Sequence, residues 1–160
     1  MGAYGAYMPS FKYSINGLDP DRTAIASGRD LRISPKAARE ICNYIKGMRL
    51  EKAKEILEGV IAIKTPIPYR RHNKKVAHRK RAQGFDAGRF PQKAAGVILK
   101  VLNSVESNAE FKGLYSERLK IIHIASNRAR VVRNFIPRAF GRSSPHYNHL
   151  THIEIAVEEF

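Results

Sequence analysis

Apolar residues recur at three- and four-residue spacing in three separate stretches of the chain. In the first, Ala38, Ile41, Cys42, Ile45 and Met48 fall on one helical face. Ser34-Pro35 stands in front of it as an N-cap with proline at the first helical position, and Gly47 suits its end. A second helix follows directly, with Leu50, Ala53, Ile56, Leu57 and Val60 on one face and Glu51, Lys52, Lys54, Glu55 and Glu58 on the other. Thr65-Pro66-Ile67-Pro68 stops it. The third follows Pro91 and runs to about Ala109, with Ala95, Ile98, Leu99, Leu102 and Val105 as its buried stripe. Gly96 inside it is read as the mark of a close helix approach, a merely tolerated glycine being the alternative.

The pattern changes to period two near the C-terminus. Ile122 and Ile124 share one strand face, and Ile153, Ile155 and Val157 share one face of a returning strand. A turn near Ala139-Phe140 pairs 124 with 155 and 122 with 157. Further out, Ser126, Arg128 and Arg130 oppose Ile153, Thr151 and His149, so the apolar pairing fades. The twelve or so residues from Ser126 to Pro137 span roughly 35–40 Å, more than a small domain's core can cover, so the hairpin must project. Near the N-terminus, residues 1–11 read as a tail with Tyr4, Tyr7 and Phe11 as anchors. Residues 12–29 are turn-rich and mostly irregular, and a short strand is expected over residues 29–33. The expected fold class is α+β: three helices packed on a small antiparallel sheet, with a long protruding β-hairpin and a basic insert loop. One domain covers residues 1–160. Within it lie the tail and irregular segment (1–28), the insert (64–91) and the extended hairpin (119–158).

Charge sharpens this picture. The chain holds 29 basic and 14 acidic residues, a net of +15. Residues 64–93 hold ten Lys or Arg against the single acid Asp86, and residues 118–153 hold seven with no acid at all. The remainder, twelve basic and thirteen acidic residues, is near neutral. Two cationic segments on a neutral body are the electrostatic footprint of a nucleic-acid binder. The insert carries Arg70, Arg71, Lys74, Lys75, Arg79, Lys80, Arg81 and Arg89, interleaved with Tyr69, His72, His78, Phe85 and Phe90. Cations neutralise phosphates, rings and guanidinium planes stack on unpaired bases, and Gly84 and Gly88 allow close backbone approach. A solvated linker seldom mixes aromatic, Arg and Gly in this way. The insert lacks apolar periodicity and is expected to be ordered by its partner rather than by a core of its own.

The hairpin uses Arg128, Arg130, Arg133, Arg138 and Arg142, and no Lys follows Lys120. Arg supplies a planar fork for phosphate oxygens and a stacking face. An edge ribbon guarded only against aggregation would carry mixed or Lys-rich charge. His146, His149 and His152 do not form a metal site, because strand geometry sends His149 to the opposite face from the other two. No Walker loop, nucleophile elbow, metalloprotease helix or paired-carboxylate cleft occurs, so neither catalytic residues nor a cofactor is expected. Cys42 lies on a helical apolar face and reads as a buried, inert thiol suited to a reducing cytoplasm. No apolar run is long enough to span a membrane, and neither a signal peptide nor a myristoylation motif is recognised.

Ile45-Lys46-Gly47-Met48, Glu106-Ser107-Asn108-Ala109-Glu110, Pro137-Arg138-Ala139-Phe140-Gly141-Arg142 and Thr151-His152-Ile153-Glu154-Ile155 together resemble the family of ribosomal protein twenty-two of the large subunit (seventeen in the older eukaryotic naming). The resemblance covers nearly the whole chain from Lys12. Tyr69-Arg70-Arg71 with Gly88-Arg89-Phe90-Pro91 is similar to the insert of archaeal and eukaryotic members, which bacterial ones lack. The tip pattern is closer to the form bacteria share, which fits an archaeal member. Residues 1–11 depart from the family pattern, as does Gln83, where eukaryotic members tend to carry Trp.

The resemblance implies a non-enzymatic, cytoplasmic, rRNA-binding protein that supports subunit assembly. Its partners would be large-subunit rRNA and neighbouring ribosomal proteins, without membrane insertion or homo-oligomerisation. The hairpin tip, Ile136, Pro137, Arg138, Ala139, Phe140, Gly141 and Arg142, would line the exit tunnel and meet the nascent polypeptide. Two rival readings are a free-standing RNA- or DNA-binding architectural or regulatory protein, which would bind short oligonucleotides tightly, and an RNA-modifying enzyme, which would need a cofactor pocket.

Overall fold

A computed structural model of the protein describes residues 12–79 and 84–160. In chain order the elements are strand β1 (Thr23–Leu31), helices α1 (Pro35–Ile45) and α2 (Leu50–Ile61), short strands β2 (Ile67–Pro68) and β3 (Gly88–Arg89), helix α3 (Gln92–Phe111), and the long strands β4 (Leu119–Pro137) and β5 (Ser143–Glu159). The fold is α+β, with three helices and an antiparallel sheet in the order β1-β5-β4. The chain's last strand is therefore the central one, and Ile153, Ile155 and Val157 are buried from both sides. They meet Ile41 and Ile45 of α1, Leu57 of α2, and Ile98 and Leu102 of α3 in one core.

Ser34 occupies the N-cap of α1 with extended backbone and Pro35 opens the helix, but the Ser34 side chain makes no capping hydrogen bond. Gly47 ends the turn after α1 at φ +79, a region that favours glycine. This lets its N–H reach Ile121 O at 2.9 Å while Ile121 N–H donates to Met48 O at 2.9 Å. The pair clamps β4 to the link between α1 and α2 and aims Ile121 into the core. A bulge between Ile121 and His123 follows, so Ile121, not Ile122, faces Val157, while Ile124 opposes Ile155. The expected 122–157 pairing is thus corrected by the bulge.

A second correction concerns β1. The segment 23–31 pairs with β5 from Thr23 opposite Glu158 to Leu31 opposite Thr151, so the irregular stretch ends six residues earlier than the turn-like residues suggested. Its small side chains serve packing. A Cβ at Gly28 would lie 2.9 Å from Val101 Cγ2 of α3 and 2.8 Å from Leu31 Cδ1. Gly96 makes no such approach: a Cβ there would find only Ile61 Cδ1, at an ordinary 3.9 Å. On the face of β5 away from Ile153 and Ile155, the buried Glu154 accepts the backbone N–H of Ser14 at 2.8 Å and the side-chain amide of Asn127. This carboxylate fastens the N-terminal segment to the root of the arm.

Candidate nucleic-acid interface

The insert begins where Ile67 pairs with Arg89 and Pro68 with Gly88. The ladder continues irregularly: Tyr69 N–H donates to Ala87 O at 2.9 Å, Arg79 N–H to Asp86 O at 2.8 Å and Gly88 N–H to Ala77 O at 3.2 Å. Tyr69 is buried and Val76 packs on the main core. The body reaches up through Glu40 of α1, only 2% exposed. Its carboxylate accepts N–H groups from Arg70 (3.0 Å), Arg71 (3.3 Å) and His72 (3.0 Å), with the His72 Nδ1 at 2.8 Å. Burial alone would raise the Glu40 pKa. The His72 side chain and the backbone donors outweigh it and hold the carboxyl below its usual value. Burial likewise pushes the Tyr69 phenol up, against the pull of the Arg89 charge. The insert therefore has anchors in the body, which corrects the expectation of a loop shaped only by its partner. Amphipathic periodicity could not reveal this, because the anchor is an acid on a distant helix and its ligands are backbone groups.

All six described insert cations named from the sequence are exposed, but they divide by role. Arg79 Nε donates to Gly88 O at 3.1 Å, and its guanidinium lies 5.3 Å from the Phe90 ring centre. Arg89 Nη2 donates to Lys75 O at 3.3 Å. These two brace the insert. Arg70, Arg71, Lys74 and Lys75 form no ion pair among the described residues. Lys80, Arg81 and Gln83 lie outside the described residues, as do the tail anchors Tyr4, Tyr7 and Phe11.

Two hollows share Ser34, and the first of them adjoins the insert. One, of about 630 Å³, is lined by Lys36, Arg71, Lys74 and Arg89 together with Tyr69, Phe90 and other residues. The other, of about 510 Å³, lies between Arg32, Lys93 and the arm residues Tyr147 and His149. Arg32 and Lys36 were not singled out because they lie outside both cationic segments, and Lys93 was counted in the segment 64–93 without being given a role. A signal did exist. Lys36 and Lys93 sit in the first turns of α1 and α3, where neither helix carries an acid. That placement opposes the helix dipole and is costly unless an anion comes near.

Along the arm, no residue from 125 to 149 is buried. A second bulge, between Arg128 and Val131, shifts the register by one, so His149 faces Val131 rather than Arg130, as expected for a regular ladder. Arg130, 75% exposed at its side chain, has Nη2 3.6 Å from Asp30 Oδ2 of β1, so the root of the arm is not wholly detached from the body. Asp30 itself has φ +50 and donates its N–H to His152 Nδ1 at 3.0 Å. Farther out, Phe135 and Tyr147 meet edge to face at 6.0 Å, a local apolar support the charge pattern concealed. At the tip, Arg138 N–H donates to Arg142 O at 2.8 Å, and Arg138 Nε donates to Ser144 Oγ at 3.2 Å. Phe140 and Gly141 have positive φ, and Phe140 is 98% exposed. Arg128, Arg133 and Arg142 are exposed.

Among the described residues no three His, Cys, Asp or Glu side chains are placed to hold a metal ion. Cys42 is buried, and burial pushes its thiol up to about 12.

Comparison with known proteins places these elements in context. Residues 26–158 match the family model described as ribosomal protein L22p/L17e. A Methanococcus vannielii protein named large ribosomal subunit protein uL22 is 54% identical over 142 residues, covering 89% of this chain and 93% of its own. Its namesake from Methanopyrus kandleri is 54% identical over 158 residues, covering 95% and 99%. That from Methanocaldococcus jannaschii is 48% identical over 153 residues, covering 96% and 97%.

Proposed function

Because the chain belongs to the ribosomal protein L22p/L17e family, we propose that it is a structural constituent of the large ribosomal subunit that binds rRNA through the insert and the arm. It acts in the cytoplasm, within the ribosome. The observation that carries the rRNA reading is the arm: a long two-stranded ribbon without a buried residue from 125 to 149, bearing five arginines and no acid. Such a ribbon gains little from its own chain and much from a polyanion.

The mechanism is phosphate neutralisation with counterion release, aided by shape. Arg128, Arg133, Arg138 and Arg142 offer planar forks to phosphate oxygens. Arg70, Arg71, Lys74 and Lys75 present a second set of charges from the insert, with Lys80 and Arg81 next in sequence. Arg79 and Arg89 contribute charge while holding the insert in shape. Two binding elements at different points of one body can tie separate rRNA segments together, which is how the chain would support subunit assembly. The tip from Ile136 to Arg142 would lie in the wall of the exit tunnel, where Phe140 and Arg142 meet the nascent polypeptide.

The salt dependence of binding to large-subunit rRNA tests this. The logarithm of the binding constant should fall linearly and steeply with the logarithm of salt concentration. Replacing Arg133 and Arg138 by Gln should reduce the slope by about 1.5–2. An unchanged slope would remove the arm from the interface.

A further inference from the structure

We propose that the hollow between the start of α1 and the insert takes one unpaired nucleotide of the bound RNA. Its base would lie on the floor that includes Tyr69 and Phe90, and its phosphate among Lys36, Arg71 and Lys74. The inference rests on the rRNA-binding reading above and adds a contact that phosphate neutralisation alone does not require.

Most of the lining divides into two chemistries, with Ser34, His72 and Pro91 completing it. Ala37, Tyr69, Val76 and Phe90 give an apolar, ring-bearing floor, and Lys36, Arg71, Lys74 and Arg89 give a cationic rim with no carboxylate in the lining. A site for phosphate alone gains nothing from the partly exposed apolar side chains of Ala37, Val76 and Phe90, which cost free energy in water. A nucleotide matches both parts, since its base has an apolar face and its phosphate is anionic. A volume of about 630 Å³ lies within the range of small-molecule sites. The base must be unpaired, because a stacked, paired base offers no face to a concave protein surface.

The hollow is also built in advance. Glu40 holds the backbone of Arg70, Arg71 and His72, Arg89 is tied to Lys75 O, and Arg79 lies against the Phe90 ring. Little ordering remains to be done when a ligand enters.

The test titrates the full-length protein with adenosine 5′-monophosphate, uridine 5′-monophosphate and inorganic phosphate, following backbone amides by NMR. Both nucleotides should shift the amides of Lys36, Ala37, Tyr69 and Phe90, and should bind about tenfold more tightly than phosphate, as base stacking contributes. Ala37→Leu, which fills the floor without changing charge, should abolish that preference. Lys74→Gln, at an exposed position, should weaken nucleotide and phosphate alike, and it keeps the question decidable if Ala37→Leu does not fold. Equal binding of nucleotide and phosphate, shifts centred elsewhere, or a preference that survives Ala37→Leu would each overturn the inference. If the protein binds rRNA with steep salt dependence yet shows no nucleotide preference, this inference alone fails. If it does not bind rRNA, the broader reading fails.

Discussion

Oε1 of Glu40 lies 2.8 Å from Nδ1 of His72, so a buried acid of the first helix holds the most cationic loop of the molecule from beneath. The same carboxylate takes backbone N–H groups from Arg70 and Arg71 rather than their guanidinium groups. The loop is thereby fixed without neutralising the charges it displays. Those charges stay available to a phosphate.

Replacing Glu40 by Gln should release the loop. The amide keeps the shape but loses the charge and one acceptor, leaving donors of a partly buried turn unmatched. The expected loss is about 1–3 kcal/mol in denaturant unfolding. Hydrogen exchange should speed up at the amides of Arg70, Arg71 and His72 and stay unchanged in the outer arm. Uniform exchange changes over the whole chain would contradict a local tether.

The tether's pH dependence follows from its sign. The Glu40 carboxyl is held below the ordinary value of 4.5, so folding favours the ionised form. Its contribution is complete above the ordinary carboxylate range and disappears as pH falls through the lowered value. Exchange protection of the three insert amides should therefore persist from neutral pH to about 4.5 and be lost only below it. Protection that fades between pH 7 and 6 would assign the tether to another group.

The helices and the closing strand were legible because their burial is periodic: Ile41 and Ile45, Leu57 and Val60, and Ile153 and Ile155 all lie where spacing put them. What escaped was set by contacts distant in sequence. β1 looked irregular because turn-like pairs such as Asp19-Pro20 and Ser27-Gly28 crowd that stretch, yet Gly28 is small so that Val101 of α3 can sit close. Ile121 replaced Ile122 in the core because backbone bonds from Gly47 and Met48 impose a bulge. The Arg and Lys clusters marked the insert and the arm, whereas Glu40's hold on the insert and the placement of Lys36, Arg32 and Lys93 beside the two hollows depend on how helices meet loops.

Gly28→Ala tests the close seat of β1 on α3. The added methyl would lie 2.8 Å from Leu31 Cδ1 and 2.9 Å from Val101 Cγ2, so both side chains must move. A destabilisation of about 1–3 kcal/mol is expected in chemical denaturation. The same change at Gly96, where the neighbour is 3.9 Å away, should be neutral or stabilising.

Cys42, with its thiol pushed up to about 12 and its side chain buried, should resist alkylation in the folded protein at pH 8. It should react at the rate of a free thiol once the chain is unfolded. Rapid modification of the native state would show that α1 is not seated as described.

The most direct test of the account is where the chain sediments when its arm loses its charge. Wild-type protein and an Arg133→Glu, Arg138→Glu, Arg142→Glu variant, expressed in turn and matched for folding by circular dichroism, are followed through a sucrose gradient of cell lysate. The account predicts wild-type protein in the large-subunit fractions and the variant mostly at the top of the gradient. A folded variant that enters large subunits as fully as wild type would contradict it.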